Sequence, residues 1–309
     1  MAKTPISLII DDGSPVNLYY FHDLMREHEL IVPIEQVLRF ASICKKNGVR
    51  GKFSVVPMPC NLGRLDKGLS HCPWEHVQQF IKAVRETIAP MFSLTPEIIS
   101  HYWAFDVKTE RVLDVREDIY FSTLTAEQIA DYVSYAIKIL CNVDIVPEGV
   151  TSPWMTGIDN EQNYAEGIGM AFKRTLNQDR TFYFLHNQSV LKAPKVMCNS
   201  AETGTVVSIP RDFPDVFWPG NNPGNDAEAK RKIKEGIDSI ISEDGRSGQF
   251  VNLLDAGRPV VFITHWQSLF SDGRFYGLDG FEMLMERVTR YFGDKVEWLT
   301  FKEISERTI

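Results

Sequence analysis

Cysteines are few in this 309-residue chain and basic residues are outnumbered by acidic ones, and each of these features argues against a class of protein. The five cysteines lie far apart and include no Cys-x-x-Cys pair, which fits neither a disulfide framework nor a zinc knuckle. We therefore expect free thiols in a reducing compartment. Lys and Arg together number 33 against 41 for Asp and Glu, so we expect no nucleic acid held through phosphate contacts.

Apolar segments are too short to cross a membrane. The longest, Ile6–Ile10 (interrupted by Ser7) and Val260–Ile263, fall far short of the ~20 residues that a membrane-spanning helix needs. The short apolar segment after Met1 ends in two aspartates, which is not the pattern of a secretory signal. We expect a soluble, cytoplasmic protein that makes no membrane contact.

Strand-like and helix-like segments alternate along the whole chain. The strand-like runs are Ile6–Ile10, Gly51–Pro57, Glu97–Trp103, Asp144–Thr151, Thr181–His186, Thr205–Ile209, Pro259–Thr264 and Lys295–Leu299. Segments with helical periodicity separate them, such as Thr125–Leu140, which opens with a capping-box pattern. This order favours parallel strands joined by right-handed crossovers. We predict one α/β domain over residues 1–309, a distorted (β/α) barrel of about seven or eight strands.

Polar and aromatic residues follow several predicted strands at the end where a barrel collects its chemistry. They are Asp11 and Asp12, then His101, Tyr102, Trp103 and Asp106, then Trp154, His186, His265 and Trp266. Each alone has an ordinary structural explanation, since Asp-Gly pairs favour turns and a strand-end histidine often only bonds the backbone. Two adjacent carboxylates that close an apolar strand are nevertheless costly unless a metal or a shared proton uses them. Their coincidence at one edge favours a functional site.

Several segments resemble motifs of the polysaccharide deacetylase (NodB-homology) superfamily, in the same order along the chain. Ile6–Gly13 resembles the first motif, a strand that ends in Asp-Asp-Gly, and Gly51–Val56 resembles the second strand. His101 falls where the family places the first His of its His-x-x-x-His metal motif. Thr125–Ile129 resembles the start of the helix downstream of it. Thr151–Trp154 and Phe262–His265 resemble the Arg-Pro-Pro-Tyr stretch and the late strand that ends in the catalytic His.

The resemblance implies a role for each matching residue. Asp11 would be the general base, Asp12 and His101 metal ligands, and His265 the general acid. The implied cofactor is a divalent metal ion, with zinc expected. Two departures stand out: Phe105 occupies the place of the second metal His, and Thr151–Trp154 lacks the Arg that normally orients the catalytic Asp. Asp106 is the expected substitute for the third ligand.

The leading functional interpretation is a metal-dependent hydrolase that deacetylates an acylated carbohydrate or cleaves a related C–N amide bond. Four aromatic side chains would offer flat faces to a small-molecule or oligosaccharide substrate: Tyr102, Trp103, Trp154 and Trp266. One alternative is a catalytically silent carbohydrate-binding relative, which Phe105 and the missing Arg favour. The other is a glycoside hydrolase, which needs two flanking carboxyl groups, such as Asp11 or Asp12 with Glu148 or Glu161.

Overall fold

Strands and helices alternate in the structure, a computed structural model that describes residues 3–19, 30–187, 191–221 and 225–309. The strands are β1 (Thr4–Asp11), β2 (Gly51–Val55), β3 (Gly63–Arg64), β4 (Gly68–Leu69), β5 (Phe92–Pro96), β6 (Trp103–Asp106), β7 (Arg111–Arg116), β8 (Gly149–Ser152), β9 (Arg180–Leu185), β10 (Lys195–Ser200), β11 (Gly204–Ser208), β12 (Val260–His265) and β13 (Val296–Trp298). The α-helices are α1 (Ile34–Asn47), α2 (Trp74–Ala83), α3 (Glu117–Phe121), α4 (Ala126–Cys141), α5 (Glu161–Leu176), α6 (Asp226–Ile240), α7 (Gln249–Asp255), α8 (Trp266–Phe270), α9 (Tyr276–Phe292) and α10 (Phe301–Arg307). A π-helical turn continues α2 over Val84–Ile88.

Parallel strands form two sheets that meet edge to edge. The first has the order β12-β1-β2-β5, with β13 also paired to β1, and the second has the order β10-β11-β9-β8. A parallel bridge between Glu97 and Thr151 joins the end of β5 to β8. Within the second sheet only β10 runs antiparallel to its neighbour. The predicted α/β fold built on parallel strands is confirmed.

Side chains alternate between two environments along these strands, because successive residues of a strand point to opposite faces. Leu8 and Ile10 of β1 belong to the large apolar cluster that also contains the helices, whereas Ile9 belongs to a second cluster. That second cluster unites one face of four strands with Phe301 of α10. The strands are thus buried on both faces, which explains their nearly continuous apolar sequences.

The helices cover the outer face with their apolar sides. In α1, for example, Val37, Phe40 and Cys44 are buried and recur at helical spacing. Phe40 contacts Phe281 of α9 at a ring-centroid distance of 5.5 Å. Among the described residues, no helix is both long and apolar enough to cross a membrane.

The strand predicted over Glu97–Trp103 is wrong in its position. The strand is β5, Phe92–Pro96, and the chain turns immediately after it. Ile98 and His101 have φ angles of +42° and +58°, in the left-handed region that breaks an extended strand. Apolar residues on both sides of the turn made it resemble a strand in the sequence.

Candidate active site

Polar side chains lie together at the carboxyl-terminal edge of the parallel strands, on their inner face. Asp11 lies beside His265 in the register of β1 and β12, two residues beyond the pair Ile9 and Ile263. Because the side-chain period of a strand is two, Asp11 and His265 share the face of the buried cluster around Ile9. Glu97 extends the β2–β5 pairing at the same edge. The parallel alignment therefore brings these groups together although they are distant in sequence.

Asp12, Glu97 and His101 converge in a buried group. His101 Nε2 lies 2.9 Å from Asp12 Oδ1 and 3.4 Å from Glu97 Oε1. Asp12 turns away from the strand with a φ of +66°, and its N–H donates to Glu97 Oε2 at 2.5 Å. Gly13 follows because a Cβ there would lie 2.0 Å from the carbonyl oxygen of Ser54. These three side chains form one of two groups in the described residues whose ligand atoms could hold a metal ion.

The three side chains fit a divalent ion. Two ligand atoms each about 2.1 Å from one ion are about 3.0 Å apart at a right angle and about 3.4 Å apart at the tetrahedral angle. The observed separations from His101 Nε2 fall at these values. The buried carboxylate oxygens of Asp12 contact the His101 imidazole and the Glu97 carboxyl group and make no other hydrogen bond within the described part of the chain. A divalent ion at this point would be a further favourable partner for the buried carboxylate.

Electrostatics in this group also favours a cation. Burial alone would raise the pKa of Asp12, but the His101 imidazole holds that pKa far below its usual value. Burial and the Asp12 charge raise the pKa of Glu97 well above its usual value. For His101, burial lowers the pKa, but the Asp12 carboxylate outweighs it and raises the pKa to about 10. Two carboxylates this close oppose each other's ionisation, which is why the pKa of Glu97 is raised, and a bound cation would relieve that repulsion.

Asp106, the expected third ligand, lies outside this group. Its carboxylate caps the turn between β6 and β7, where it accepts hydrogen bonds from the N–H of Lys108 at 2.9 Å and the hydroxyl of Thr109 at 2.8 Å. The structure brings Glu97 to the ligand group instead. Sequence reasoning missed Glu97 because the misplaced strand put it at a strand start, although it stands four residues before His101.

Asp11 has a cationic partner that sequence reasoning also missed. Lys52 of β2 is completely buried, and its ammonium group pairs with Asp11 Oδ1 and donates to the hydroxyl of Thr151. Burial would raise the pKa of Asp11, but the Lys52 charge holds that pKa below its usual value. Asp11 is thus an ionised carboxylate next to Asp12. The structure thus places a cation from β2 beside Asp11.

His265 is bonded to an acidic partner from the long segment between β11 and α6. Its Nδ1 lies 2.7 Å from Asp215 Oδ2, and its backbone N–H donates to the same oxygen at 2.9 Å. Burial lowers the pKa of His265, but the Asp215 bond and charge outweigh it and raise the pKa to about 9. His265 is therefore protonated at neutral pH, with its Nδ1 bonded to Asp215. Asp215 gave no sequence signal, because nothing in its loop aligns it with β12.

His186 completes the second group that could hold an ion, together with Asp11 and His265. Its Nδ1 lies 3.6 Å from Asp11 Oδ2, and its ring centroid lies 5.1 Å from that of His265. Burial lowers the pKa of His186, and the Asp11 contact only partly opposes it. With 23% of its side chain exposed, His186 is the most open of the ionisable groups at this edge.

The four aromatic residues predicted to contact a substrate lie in different environments. Trp154 is half-buried beside His101, with ring centroids 4.8 Å apart. Tyr102 and Trp103 are half-buried and contact each other at 4.8 Å. Trp266 lies in the core, where it packs edge-on against Phe53 at 5.4 Å and its indole N–H donates to a backbone carbonyl. Trp266 therefore offers no open face to a ligand.

Two further aromatic rings, outside the four named above, line the site. The Tyr19 ring lies 6.1 Å from His101, and the half-buried Trp218 ring lies 5.5 Å from His265. Tyr19 and Trp218 contact each other at 5.2 Å. Together with Trp154 they enclose both groups of ionisable side chains. A substrate at this edge would lie against apolar faces while its reacting atoms meet charged ones.

Sequence comparison finds no relative: neither a family model nor a curated protein matches the chain. Solved structures do match. A probable polysaccharide deacetylase from Pseudomonas aeruginosa PAO1 has a TM-score of 0.51 and 13% identity, over 98% of this chain and 89% of that one. The Puue allantoinase matches with the same TM-score, identity and coverage. The chain has the polysaccharide deacetylase fold.

Glu97 and His101 are four residues apart, which is the spacing of the His-x-x-x-His motif that the sequence resemblance invoked. Phe105, which that resemblance compared with the second His, lies outside the group of Asp12, Glu97 and His101. Phe105 is a buried apolar residue whose ring packs on Tyr135 at 5.6 Å.

Proposed function

We propose that this protein is a metal-dependent hydrolase that cleaves a C–N amide bond, with the acetyl group of an acylated carbohydrate as the leading target. One observation carries the proposal: a ligand group that fits a divalent ion adjoins both an ionised carboxylate and a protonated imidazole. The ligand group contains Asp12, the ionised carboxylate belongs to Asp11, and the protonated imidazole belongs to His265. Metal-assisted hydrolysis of an amide uses these three functions, a Lewis-acidic ion, a proton acceptor and a proton donor.

The chain's own residues divide the chemistry between them. A divalent ion held by Asp12, Glu97 and His101 would polarise the scissile carbonyl and make water more acidic. Asp11 accepts the proton of the attacking water, because Lys52 and His186 hold its carboxylate in place and leave it ionised. His265 donates its proton to the departing nitrogen, and Asp215 stabilises the charged imidazole before transfer. The amine then leaves neutral and the acid product remains.

The charge at this edge favours one ion over two. It carries four carboxylates, those of Asp11, Asp12, Glu97 and Asp215. The Lys52 ammonium, one divalent ion and a protonated His265 balance them. A second ion on Asp11, His186 and His265 would leave an excess of buried positive charge next to Lys52 and would occupy the proton acceptor and donor. We therefore propose one ion per chain, with zinc expected.

Lys52 and Glu97 also weaken the case for a silent relative. That alternative was based on a missing orienting cation and an incomplete ligand set. Lys52 supplies a cation at Asp11 and Glu97 supplies a third ligand. The glycoside hydrolase alternative loses one candidate, since Glu148 precedes β8 at the opposite end of the strands and bonds Lys302 of α10.

The proposal is tested by measuring metal content and acetate release together. Purified protein is analysed for bound metals, loaded with zinc, and assayed against a panel of N-acetylated and O-acetylated sugars and simple acetamides. We expect zinc-dependent acetate release that His265→Ala lowers by about 10²–10⁴-fold without loss of zinc. Zinc-loaded protein that releases no acetate yet binds oligosaccharides would overturn the proposal in favour of the silent relative.

A further inference from the structure

Glu117, the first residue of α3, holds the turn that carries His101. Its side chain is completely buried. Its carboxylate accepts hydrogen bonds from three successive backbone N–H groups, those of Ile99 at 3.0 Å, Ser100 at 3.1 Å and His101 at 2.8 Å. The buried carboxylate thus satisfies three consecutive backbone N–H groups. Each of them would otherwise lack a hydrogen-bond partner away from water.

The turn needs this support because its backbone is unfavourable. Ile98 and His101 both have positive φ angles, +42° and +58°, and a β-branched residue such as Ile98 is a true outlier there. Such conformations persist only where the surroundings fix them. The same turn connects Glu97 to His101, so its shape sets the 3.4 Å separation between Glu97 Oε1 and His101 Nε2.

Further bonds fix Glu117 itself. Its own N–H donates to the carbonyl of Tyr102 at 2.9 Å. The hydroxyl of Tyr132, on α4, donates to Glu117 Oε1 at 2.8 Å, and in turn accepts the N–H of Phe105 at 3.2 Å. The carboxylate is thus anchored to α4 and to the β6–β7 hairpin. Asp12 takes no part in these bonds.

We infer that Glu117 is a positioning residue for the metal site, acting through the backbone of Ile99–His101 to aim the His101 imidazole and the Glu97 carboxylate at one ion. The inference rests on the proposed function, since it presumes that these side chains bind a metal. Glu117 does not touch the ion: its oxygens are engaged by the amides and by Tyr132.

The test uses Co²⁺ alone as the probe, because its absorption spectrum reports ligand geometry without any turnover. Affinity is measured by competition with a chelator for the full chain, for Glu117→Gln, which keeps the shape, and for Glu117→Asp, which keeps the charge. We expect Glu117→Gln to weaken Co²⁺ binding about 10–100-fold, the usual effect of losing an outer-shell partner, and to alter the spectrum. Glu117→Asp should weaken Co²⁺ binding by a smaller factor.

A chemical rescue separates positioning from general destabilisation. Glu117→Ala leaves three amides facing a cavity the size of a carboxylate, so added formate should restore part of its Co²⁺ affinity and leave wild-type affinity unchanged. Asp212→Asn is the matched control. Asp212 Oδ2 accepts the N–H of Val261 at 2.8 Å at the start of β12, far along the strand from His265. That variant should lose thermal stability but keep its Co²⁺ affinity.

The outcomes distinguish this inference from the proposed function. A wild-type chain that binds no Co²⁺ overturns the proposed metal site and the inference with it. A wild-type chain that binds Co²⁺ while Glu117→Gln and Glu117→Asp bind it equally well, with the same spectrum, overturns the inference alone. If Glu117→Gln does not fold, the test uses Glu117→Asp and Tyr132→Phe instead. An unchanged Co²⁺ spectrum in Glu117→Asp then overturns the inference. Because Tyr132→Phe keeps the three amide bonds, a loss there as large as in Glu117→Asp also overturns it.

Discussion

The Lys52 ammonium and the Asp11 carboxylate form an ion pair on the inner face of the strands, with side-chain exposures of 0% and 2%. Both ions have lost their water, so each depends on the other for compensation. The hydroxyl of Thr151 accepts a further bond from Lys52, and the Phe184 ring lies 5.2 Å below the ammonium group. The pair explains how a carboxylate can remain ionised at the end of an apolar strand.

Replacing Lys52 by Met should destabilise the protein by about 3–5 kcal/mol, because removing one partner leaves the other charge buried and uncompensated. Urea unfolding measures this change. The double variant with Asp11→Asn should be more stable than Lys52→Met alone, since it removes the orphaned charge as well. If the effects of the two substitutions simply added, the buried pair would not be energetically coupled.

Replacing Asp12 by Asn, or His101 by Ala, should remove bound zinc. Each change deletes a ligand atom from the only described group that combines two carboxylates with an imidazole. Elemental analysis after dialysis should fall from about one zinc per chain to near zero. Asp106→Asn is the control and should retain its zinc, since the Asp106 carboxylate is engaged in its own turn. Loss of zinc in that control would restore Asp106 as a ligand.

Replacing His265 by Ala should lower turnover by about 10²–10⁴-fold, the usual worth of one acid–base group. Bound zinc should not change, because His265 stands outside the Asp12 ligand group. Steady-state kinetics and elemental analysis of the same preparation check both statements. Turnover equal to that of the wild type would remove His265 from the mechanism.

The alkaline limb of the pH–rate profile should reflect His265. Its pKa is about 9, because burial, which lowers it, is outweighed by the bond and charge of Asp215. A general acid works only when protonated, so kcat should fall as the pH rises through about 9. Asp215→Asn should move this limb downward, towards the ordinary histidine pKa of about 6.5. The Asp11 and Asp12 charges, which also raise the pKa, and His186, which faces the ring, remain in that variant. A limb that does not move would show that another group supplies the proton.

The two tryptophans Trp154 and Trp266 should respond differently to replacement by Ala. Trp266 is buried against Phe40 and Phe53, so its loss should destabilise the protein by about 3–5 kcal/mol. Trp154 lies half-buried beside His101, so its loss should raise KM with a smaller effect on unfolding. Thermal unfolding and steady-state kinetics on both variants make the comparison. A raised KM in a fully folded Trp266→Ala would contradict this assignment.

The sequence by itself determined which segments become parallel strands and which of their ends carry charge. Apolar runs separated by helical periodicity are local patterns, so Ile6–Ile10 and Pro259–Thr264 could be predicted as strands without any knowledge of their neighbours. Asp11, Asp12 and His265 followed, because each stands directly after such a run. The exact position of the turn after β5 could not be predicted, because the positive φ angles at Ile98 and His101 are not encoded in the pattern of apolar residues.

Only the tertiary structure decided which charged side chains contact one another at the site. Lys52 and Glu97 reach Asp11 and Asp12 through strand register, and Asp215 reaches His265 through a loop that returns over β12. Contacts between residues far apart in sequence depend on which strands pair and in which register, and no local signal encodes either. The same reason explains Trp266: a strand-end position suggested exposure, while the packing of α1 and β2 around it put the ring in the core.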